Sequence, residues 1–310
     1  MHGMSLSDEN LIIDCPKLSD AAPVVVGGVG GSGTRVITLL LQTLGFDMGS
    51  DLNQSLDELG FTALFKRPSI WPIERHLPQL TEALNTYLAS RGHKGPSWIS
   101  QEQHAVNVAE LLERTYRSGE WIDTGDLDAR REPLATPAPL QQLWGWKEPN
   151  THMLLPFLLP AIPKMKYIHV TRHGLDMAYS NNQTQMKIWG PHLLGISMKA
   201  DSTEDSLAFW CAAHGRLMKL NKHFAAQILI LPFENIFHDA ESILTCLCDF
   251  LELPETLDTG RALISTLQKP KTIGRYRSKP SIHVSDTQNN ILTELGYSIE
   301  EPAGTDKKQE

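Results

Sequence analysis

A glycine-rich segment between a predicted strand and a predicted helix is the strongest chemical signal in this sequence. Residues 27–35 read Gly-Gly-Val-Gly-Gly-Ser-Gly-Thr-Arg and follow the three valines of a strand predicted at 23–27. Glycines permit a tight turn whose backbone N–H groups point inward, and the start of the helix predicted at 34–45 adds a partial positive charge. We therefore expect a loop that holds a phosphate group.

The spacing within this loop separates it from the common nucleotide-binding loops. Gly28-x-x-x-x-Gly33 matches the start of a nucleoside-triphosphate loop, but Thr34 and Arg35 stand where Lys and then Ser or Thr would follow. The missing lysine argues against a kinase. A dinucleotide site also fits poorly, because no clear strand ending in an acidic residue follows at the usual offset. A glycine-rich turn without a ligand stays open as the alternative.

Two further segments carry basic side chains. Arg172 ends a strand predicted at 166–171, and Ser180 lies eight residues on, in a helix predicted at 174–186. A guanidinium and a hydroxyl at such a junction suit one phosphate monoester, although this spacing also arises by chance. Lys147 stands in Trp-Gly-Trp-Lys-Glu-Pro, where it is either a solvated loop residue or a cation directed into a pocket.

In this order, the three signals resemble the sulfotransferase family that uses 3′-phosphoadenosine 5′-phosphosulfate (PAPS) as sulfonate donor. The resemblance covers about 22–278 and implies an enzyme that moves a sulfonate group to an acceptor hydroxyl or amine without a metal. It assigns the loop to the 5′-phosphosulfate, the Arg–Ser pair to the 3′-phosphate, an aromatic residue to the adenine, and a loop near the C-terminus to closure. The residues implied are Gly30, Gly31, Ser32, Gly33, Thr34, Arg35, Arg172, Ser180, Phe233, Gly274 and Arg275.

The resemblance also implies a catalytic pair. Lys147 resembles the lysine of the Lys-Asp-Pro segment in tyrosylprotein and related Golgi-type sulfotransferases, so we expect it to be the catalytic cation. The family often has Lys or Arg where Gly31 stands here, and Arg35 would supply charge only from another direction. Asp51 is the nearest acidic residue after the loop helix and is the expected base. Asp57, Glu58 and a histidine are the alternatives.

Apolar runs alternate with helical patterns, which predicts an α/β fold of three layers, a P-loop-like arrangement with a central parallel sheet flanked by helices. The ligand would lie across the carboxyl ends of the strands that carry Val26, Thr171 and Leu231. We predict a loose N-terminal arm at 1–20, a single domain at 21–298 and a polar tail at 299–310. Residues 50–145 would form a helical region on the acceptor side, with a Pro-rich surface loop at 132–140.

Composition limits the function classes. The chain has 310 residues, and Lys+Arg 28 against Asp+Glu 36 gives a net charge of −8, which argues against broad nucleic-acid or anionic-membrane binding. We see no apolar run long enough for a membrane span and no signal-peptide pattern, and we expect reduced cysteines, so we predict a cytoplasmic protein. The acceptor stays open among small molecules, carbohydrates, lipids and peptides, as does the oligomeric state.

Other function classes also stay open. A nucleotide or sugar kinase would need the missing loop lysine. A catalytically inactive nucleotide-binding relative stays open because Gly31 is uncharged, and a ligand-free scaffold protein is a third alternative. Binding of 3′-phosphoadenosine 5′-phosphate (PAP) in preference to ATP would separate the first two classes from a sulfotransferase.

Overall fold

A sheet of four parallel strands, in the order β2-β1-β3-β4, forms the centre of the molecule. The computed structural model describes residues 11–93, 99–117, 127–199, 202–253 and 258–299. The strands are β1 (Val24–Gly28), β2 (Gly145–Lys147), β3 (Lys166–Thr171) and β4 (Ile228–Pro232). The predicted parallel sheet is confirmed, since each neighbouring pair runs parallel.

Strand β2 was not predicted. It is only three residues long and contains a glycine, a tryptophan and a lysine, so it has no apolar run to mark it. Its position depends on pairing with β1, in which Val24 lies beside Gly145 and Val26 beside Lys147. This pairing brings Lys147 to the carboxyl edge of the sheet, next to the glycine-rich loop.

Helices cover both faces of the sheet, as predicted. Ile37, Leu40 and Leu41 on one helix pack against Val26 and its neighbours on one face, and the larger aromatic core lies on the other. The helices within the described ranges are α1 (Thr34–Thr43), α2 (Leu59–Phe65), α3 (Leu77–Ser90), α4 (Gln101–Arg117), α5 (Arg131–Ala135), α6 (Leu155–Ala161), α7 (Gly174–Ala178), α8 (Thr184–Leu194), α9 (Thr203–His223), α10 (Ala240–Leu251), α11 (Asp258–Thr266) and α12 (Asp286–Glu294).

Two local predictions need correction. The helix predicted at 174–186 is two helices, because Gln183 donates from Nε2 to the carbonyls of Met177 and Ser180 and so satisfies the end of α7. Ser180 therefore lies in the turn after α7 rather than within a helix. The Pro-rich segment at 132–140 is a surface loop only in its second part, since α5 buries Leu134.

The ends of the chain were predicted to be loosely packed. Residues 11–20 have no helix or strand, yet Leu11 and Ile13 are buried and Leu18 donates its backbone N–H to Ala161 O at 2.8 Å. This part of the predicted arm packs against the domain. Residues 1–10, and the predicted tail after residue 299, lie outside the described residues.

Candidate active site

The glycine-rich loop joins β1 to α1 and depends on left-handed backbone. Gly31 has a φ of +95° and Gly33 a φ of +99°, a region that residues with a Cβ rarely adopt. A Cβ on Gly33 would also lie 2.2 Å from the ring of Phe233. Glycine at position 33 is therefore required by both the turn and the close approach of Phe233.

The loop is suited to an anion. The hydroxyl of Ser32 is buried and has no hydrogen-bond partner among the described residues. The first turn of α1 carries no acidic side chain, so its positive end is not neutralised from within the helix. A buried, unsatisfied donor costs free energy unless a ligand satisfies it. Arg35 is exposed at the second residue of α1.

Arg172 and Ser180 both reach this loop. Arg172 is 5% exposed and donates from Nη1 to the carbonyl of Gly31 at 3.3 Å and from Nη2 to Thr272 Oγ1 at 2.8 Å. A Cβ on Gly31 would lie 3.8 Å from the Ser180 hydroxyl. The Nε of Arg172 is buried without a partner in the described part of the chain. The structure thus brings together the arginine and serine that the sequence paired.

Arg172 keeps its charge in a costly position. Burial, and then the nearby Arg275, lower the pKa of its guanidinium. Its Cζ lies 5.8 Å from the centre of the Phe233 ring. An anionic ligand at this N–H would offset the cost of burying the cation.

The loop near the C-terminus is anchored beside this arginine. Asp176, in the first turn of α7, accepts from the backbone N–H of Gly274 at 2.7 Å and of Tyr276 at 3.2 Å. Arg275 donates to the carbonyl of Tyr179 at 3.4 Å. Sequence analysis missed Asp176, which is fully buried, because its partners lie about a hundred residues away.

Lys147 is buried at the carboxyl end of β2 and is not a solvated loop residue. It is 2% exposed, and its Nζ donates to the carbonyl of Ser55 at 2.9 Å and to the carboxylate of Asp57. Asp57 also accepts from Asn53 Nδ2 at 3.0 Å. The segment before α2 therefore holds the ammonium in one orientation.

The structure pairs Asp51 with a different cation. Arg130 Nε lies 2.9 Å from Asp51 Oδ2, with side-chain exposures of 12% and 19%. Burial raises the pKa of Asp51 although Arg130 opposes this. Of the two aspartates named from the sequence, it is Asp57 that contacts Lys147.

Two buried carboxyl groups adjoin Lys147. Glu58 donates its backbone N–H to Lys147 O at 2.8 Å, and its side chain accepts from Phe61 N at 2.6 Å at the start of α2. Glu148 follows Lys147 and accepts from Asn150 Nδ2 at 2.6 Å. Burial raises the pKa of each carboxyl to about 7. Sequence analysis did not single out Glu148, whose only signal was its place after Lys147.

A row of neutral polar groups lies under the loop. His214 Nδ1 lies 2.7 Å from Trp210 O, so this nitrogen donates and His214 Nε2 accepts. His169 then donates from Nε2 to His214 at 3.3 Å, and its Nδ1 accepts from the Tyr167 hydroxyl at 2.9 Å. Burial lowers the pKa of both imidazoles, that of His214 to about 4. The Tyr167 oxygen occupies the space beside Gly27, where a Cβ would lie 2.4 Å away.

One cavity within the described part of the chain lies apart from this site. A cavity of about 810 Å³ between α3, α4 and residues 17–19 shares no lining residue with the site, so we give it no part in the reaction.

Within the described ranges, no group of three or more His, Cys, Asp or Glu side chains converges as metal ligands would. No helix there is long and apolar enough to cross a bilayer.

The chain belongs to the sulfotransferase family. The family model described as "Sulfotransferase family" matches residues 23–258, more than half of the chain. A comparison with curated proteins finds no match. Because the family transfers sulfonate groups, the chain is a transferase enzyme of this class, and the kinase alternative is not favoured.

Several solved structures are similar to the chain. The sulfotransferase domain of the Synechococcus PCC 7002 olefin synthase is 16% identical with a TM-score of 0.48, over 93% of this chain and 98% of that one. The sulfotransferase domain from the curacin biosynthetic pathway is 14% identical with a TM-score of 0.48, over 92% and 99%. Sulfotransferase STF9 from Mycobacterium avium is 13% identical with a TM-score of 0.43, over 92% and 79%. The family model alone carries the assignment.

Proposed function

We propose that this sulfotransferase takes its sulfonate group from PAPS and transfers it to an acceptor hydroxyl or amine. The observation that carries the proposal is the convergence of Arg172 and Ser180 on Gly31, with two buried donors, Ser32 Oγ and Arg172 Nε, that lack partners among the described residues. A ligand with two separate anionic groups would satisfy both donors. PAPS supplies a 5′-phosphosulfate and a 3′-phosphate.

In this proposal the residues divide the donor between them. Backbone N–H groups of Gly30–Thr34 and the Ser32 hydroxyl hold the 5′-phosphosulfate at the start of α1. Arg172 and Ser180 hold the 3′-phosphate, and Phe233 borders the adenine. Gly274 and Arg275 cover the nucleotide. Asp176 holds their loop in place, and Arg172 donates to Thr272 in the same loop.

Lys147 is the proposed catalytic cation. An ammonium has three N–H donors, and the contacts to Ser55 and Asp57 use two of them. The third is available for the bridging oxygen, on which negative charge develops as the sulfonate leaves. A fixed donor in a buried site stabilises such charge without reorganisation. Because Gly31 brings no charge and Arg35 is exposed, Lys147 carries most of this task.

The donor assignment is tested by binding to the wild-type protein. Isothermal titration with PAP, adenosine 5′-phosphate, and ATP with Mg²⁺ should give the tightest binding for PAP, since only PAP carries the 3′-phosphate. With water as the acceptor, the enzyme should then release the ³⁵S-sulfonate of radiolabelled PAPS as sulfate. Equal affinities for PAP and adenosine 5′-phosphate would contradict the proposal, as would tighter binding of ATP with Mg²⁺.

The acceptor class stays open among small molecules, carbohydrates, lipids and peptides. We propose that the helical region at 50–145 contributes the acceptor side, because α2 begins beside Lys147. The cytoplasmic location stays a prediction from the N-terminal sequence and the expected reduced cysteines.

A further inference from the structure

We propose that Gln185 is a positioning residue that holds the glycine-rich loop ready for the 5′-phosphosulfate of the donor. This inference rests on the proposed function, which assigns the 5′-phosphosulfate to that loop. Gln185 is the second residue of α8 and is 6% exposed. Its side-chain amide joins the loop to the turn that follows β2, and these two segments leave the same edge of the sheet.

The first contact of Gln185 is with the start of the loop. Its Nε2 donates to the carbonyl oxygen of Gly28, the last residue of β1, at 3.1 Å. Gly28 lies two residues after Val26, so the two carbonyls point to the same side of the strand. The carbonyl of Val26 accepts from the backbone N–H of Glu148 at 3.2 Å, where β1 pairs with β2.

Strand β2 ends before it can supply the same kind of partner to Gly28. In a parallel pair the next donor would be the backbone N–H of residue 150. A 3₁₀ turn over Pro149–Met153 begins there instead. Because a buried carbonyl without a partner is costly, the amide of Gln185 takes the place of the missing strand residue. The last carbonyl of β1 is therefore fixed by α8.

The other end of the amide contacts the turn behind Lys147. Gln185 Oε1 lies 3.2 Å from His152 Nε2. The carbonyl of Gly28 can only accept, so the amide nitrogen faces Gly28, the amide oxygen faces His152, and His152 Nε2 donates. Burial lowers the pKa of His152 to about 3, so its imidazole is neutral and carries its one proton on this nitrogen. Arg216 holds the same turn by donating from Nη1 to the carbonyl of His152 at 3.2 Å.

The contact at Gly28 fixes the backbone beneath the Ser32 hydroxyl. A Cβ on Gly28 would lie 2.6 Å from Ser32 Oγ, so the hydroxyl lies directly against this residue. The backbone N–H of Ser32 donates to Val29 O at 3.0 Å and closes the turn of the loop. The stem of Gln185 also follows the loop, since its Cγ lies 3.8 Å from the position of a Cβ on Gly30. The place of the Ser32 hydroxyl, a proposed donor to the 5′-phosphosulfate, therefore depends on Gln185.

The two residues proposed for the 3′-phosphate have supports of their own. Arg172 donates from Nη2 to Thr272 Oγ1 at 2.8 Å, and the Ser180 hydroxyl accepts from the backbone N–H of Asn182 at 3.2 Å. Loss of the Gln185 amide should therefore weaken the binding of a 5′-phosphate and spare the binding of a 3′-phosphate. A general loss of packing would not separate the two phosphates in this way.

The test compares three nucleotides by isothermal titration: PAP, adenosine 5′-phosphate and adenosine 3′-phosphate. Gln185→Met keeps the length of the side chain but has no donor for the carbonyl of Gly28. We expect its affinities for PAP and adenosine 5′-phosphate to fall about 10-fold, because a buried carbonyl loses its partner and the loop is released. Its affinity for adenosine 3′-phosphate should stay within about twofold of the wild type.

A second variant distinguishes the two ends of the amide. Gln185→Glu keeps an oxygen for His152 but presents a carboxylate oxygen to the carbonyl of Gly28, so it should lose at least as much affinity for a 5′-phosphate as Gln185→Met. It gives the same comparison of nucleotides if Gln185→Met does not fold.

Gln227→Met is the matched control. Gln227 donates from Nε2 to the carbonyls of Leu159, Ile162 and Met165 at the opposite edge of the sheet. Its replacement also removes an amide that binds backbone carbonyls, and all three affinities should stay within about twofold of the wild type. Urea unfolding shows whether each variant is folded at the temperature of the titration.

Equal losses for adenosine 5′-phosphate and adenosine 3′-phosphate in the Gln185 variants would overturn the inference and leave the donor site intact. Unchanged affinities for all three nucleotides would do the same. Failure of the wild-type protein to bind PAP would overturn the proposed function and this inference together.

Discussion

Arg172 donates from its Nη1 to the carbonyl oxygen of Gly31 at 3.3 Å. One contact thus ties the end of β3 to the middle of the glycine-rich loop. The two proposed anion sites share this link, so a ligand that orients Arg172 also orients the loop. Binding at one site is therefore expected to favour binding at the other.

The first prediction concerns the selectivity of Arg172. In Arg172→Ala, affinity for PAP should fall by about 10- to 100-fold, because a hydrogen-bonded charge is lost, and affinity for adenosine 5′-phosphate by much less. Arg172→Lys should restore only part, since an ammonium cannot reproduce the guanidinium contacts. Isothermal titration measures each value. Arg261→Ala, which removes an exposed arginine from α11, is the matched control, and equal losses for both nucleotides would refute the role.

The second prediction concerns Lys147. Lys147→Ala should lower the rate of PAPS consumption in a single turnover at saturating enzyme on the order of 10²–10³-fold, because a fixed donor to the leaving oxygen is removed. Affinity for PAP should change only a few fold, and Lys147→Arg should recover part of the rate. Lys166→Ala removes a half-buried lysine from the start of β3 and serves as the control. If binding and rate fall together, Lys147 acts in the ground state instead.

The third prediction concerns the contact between Gly33 and Phe233. Gly33→Ala should destabilise the fold on the order of 1–3 kcal/mol, since it adds a clash with the ring to an unfavourable φ. Removing the ring in the double variant Gly33→Ala/Phe233→Ala should relieve the clash but not the strain of the positive φ at position 33. Urea unfolding of the four proteins in the cycle gives the coupling free energy. Additive losses would mean that the ring does not limit position 33.

The fourth prediction uses stability rather than activity. The pKa of Glu148 is raised to about 7 from an ordinary value of 4.5, so the folded state binds its proton more tightly than the unfolded state does. The resulting stabilisation is present below pH 4.5 and is lost as pH rises through 7. Glu148→Gln has no such proton to lose. The free energy of unfolding of this variant, relative to that of the wild type, should therefore increase by roughly 1–3 kcal/mol from pH 5 to pH 8.

Thermal unfolding at the two pH values measures this gain. Glu110→Gln removes one negative charge from the exposed face of α4 and controls for net charge. A difference between Glu148→Gln and wild type that stays constant with pH would show that Glu148 ionises normally in the folded protein.

Sequence analysis succeeded where the signal was local. The β-branched run before Gly27, the glycines after it, and the strand that precedes Arg172 each carry their own information, so β1, the loop and β3 were predicted close to their observed bounds. The local pattern Ser202-x-x-Asp205 is likewise typical of a helix start, and the Ser202 side chain accepts from Asp205 N before α9.

Sequence analysis failed where the position of a segment depends on partners that are distant in the sequence. Strand β2 exists through pairing with β1, which lies more than a hundred residues earlier. Spacing after the loop helix named Asp51 as the base, a role that stays a prediction, and it did not show that the turn at Asn53 brings Asp57 to the Lys147 ammonium. The buried state of Glu148 follows from the same pairing and had no local signature.

The Tyr167 hydroxyl and the missing side chain of Gly27 share a single volume. We therefore expect positions 27 and 167 to change together in evolution. A lineage that acquires a larger residue at position 27 must first lose the tyrosine at 167, and with it the donor that His169 accepts from. An alignment of sulfotransferases that share this loop should show compensating exchanges between these two positions, with tyrosine at 167 found only beside glycine at 27.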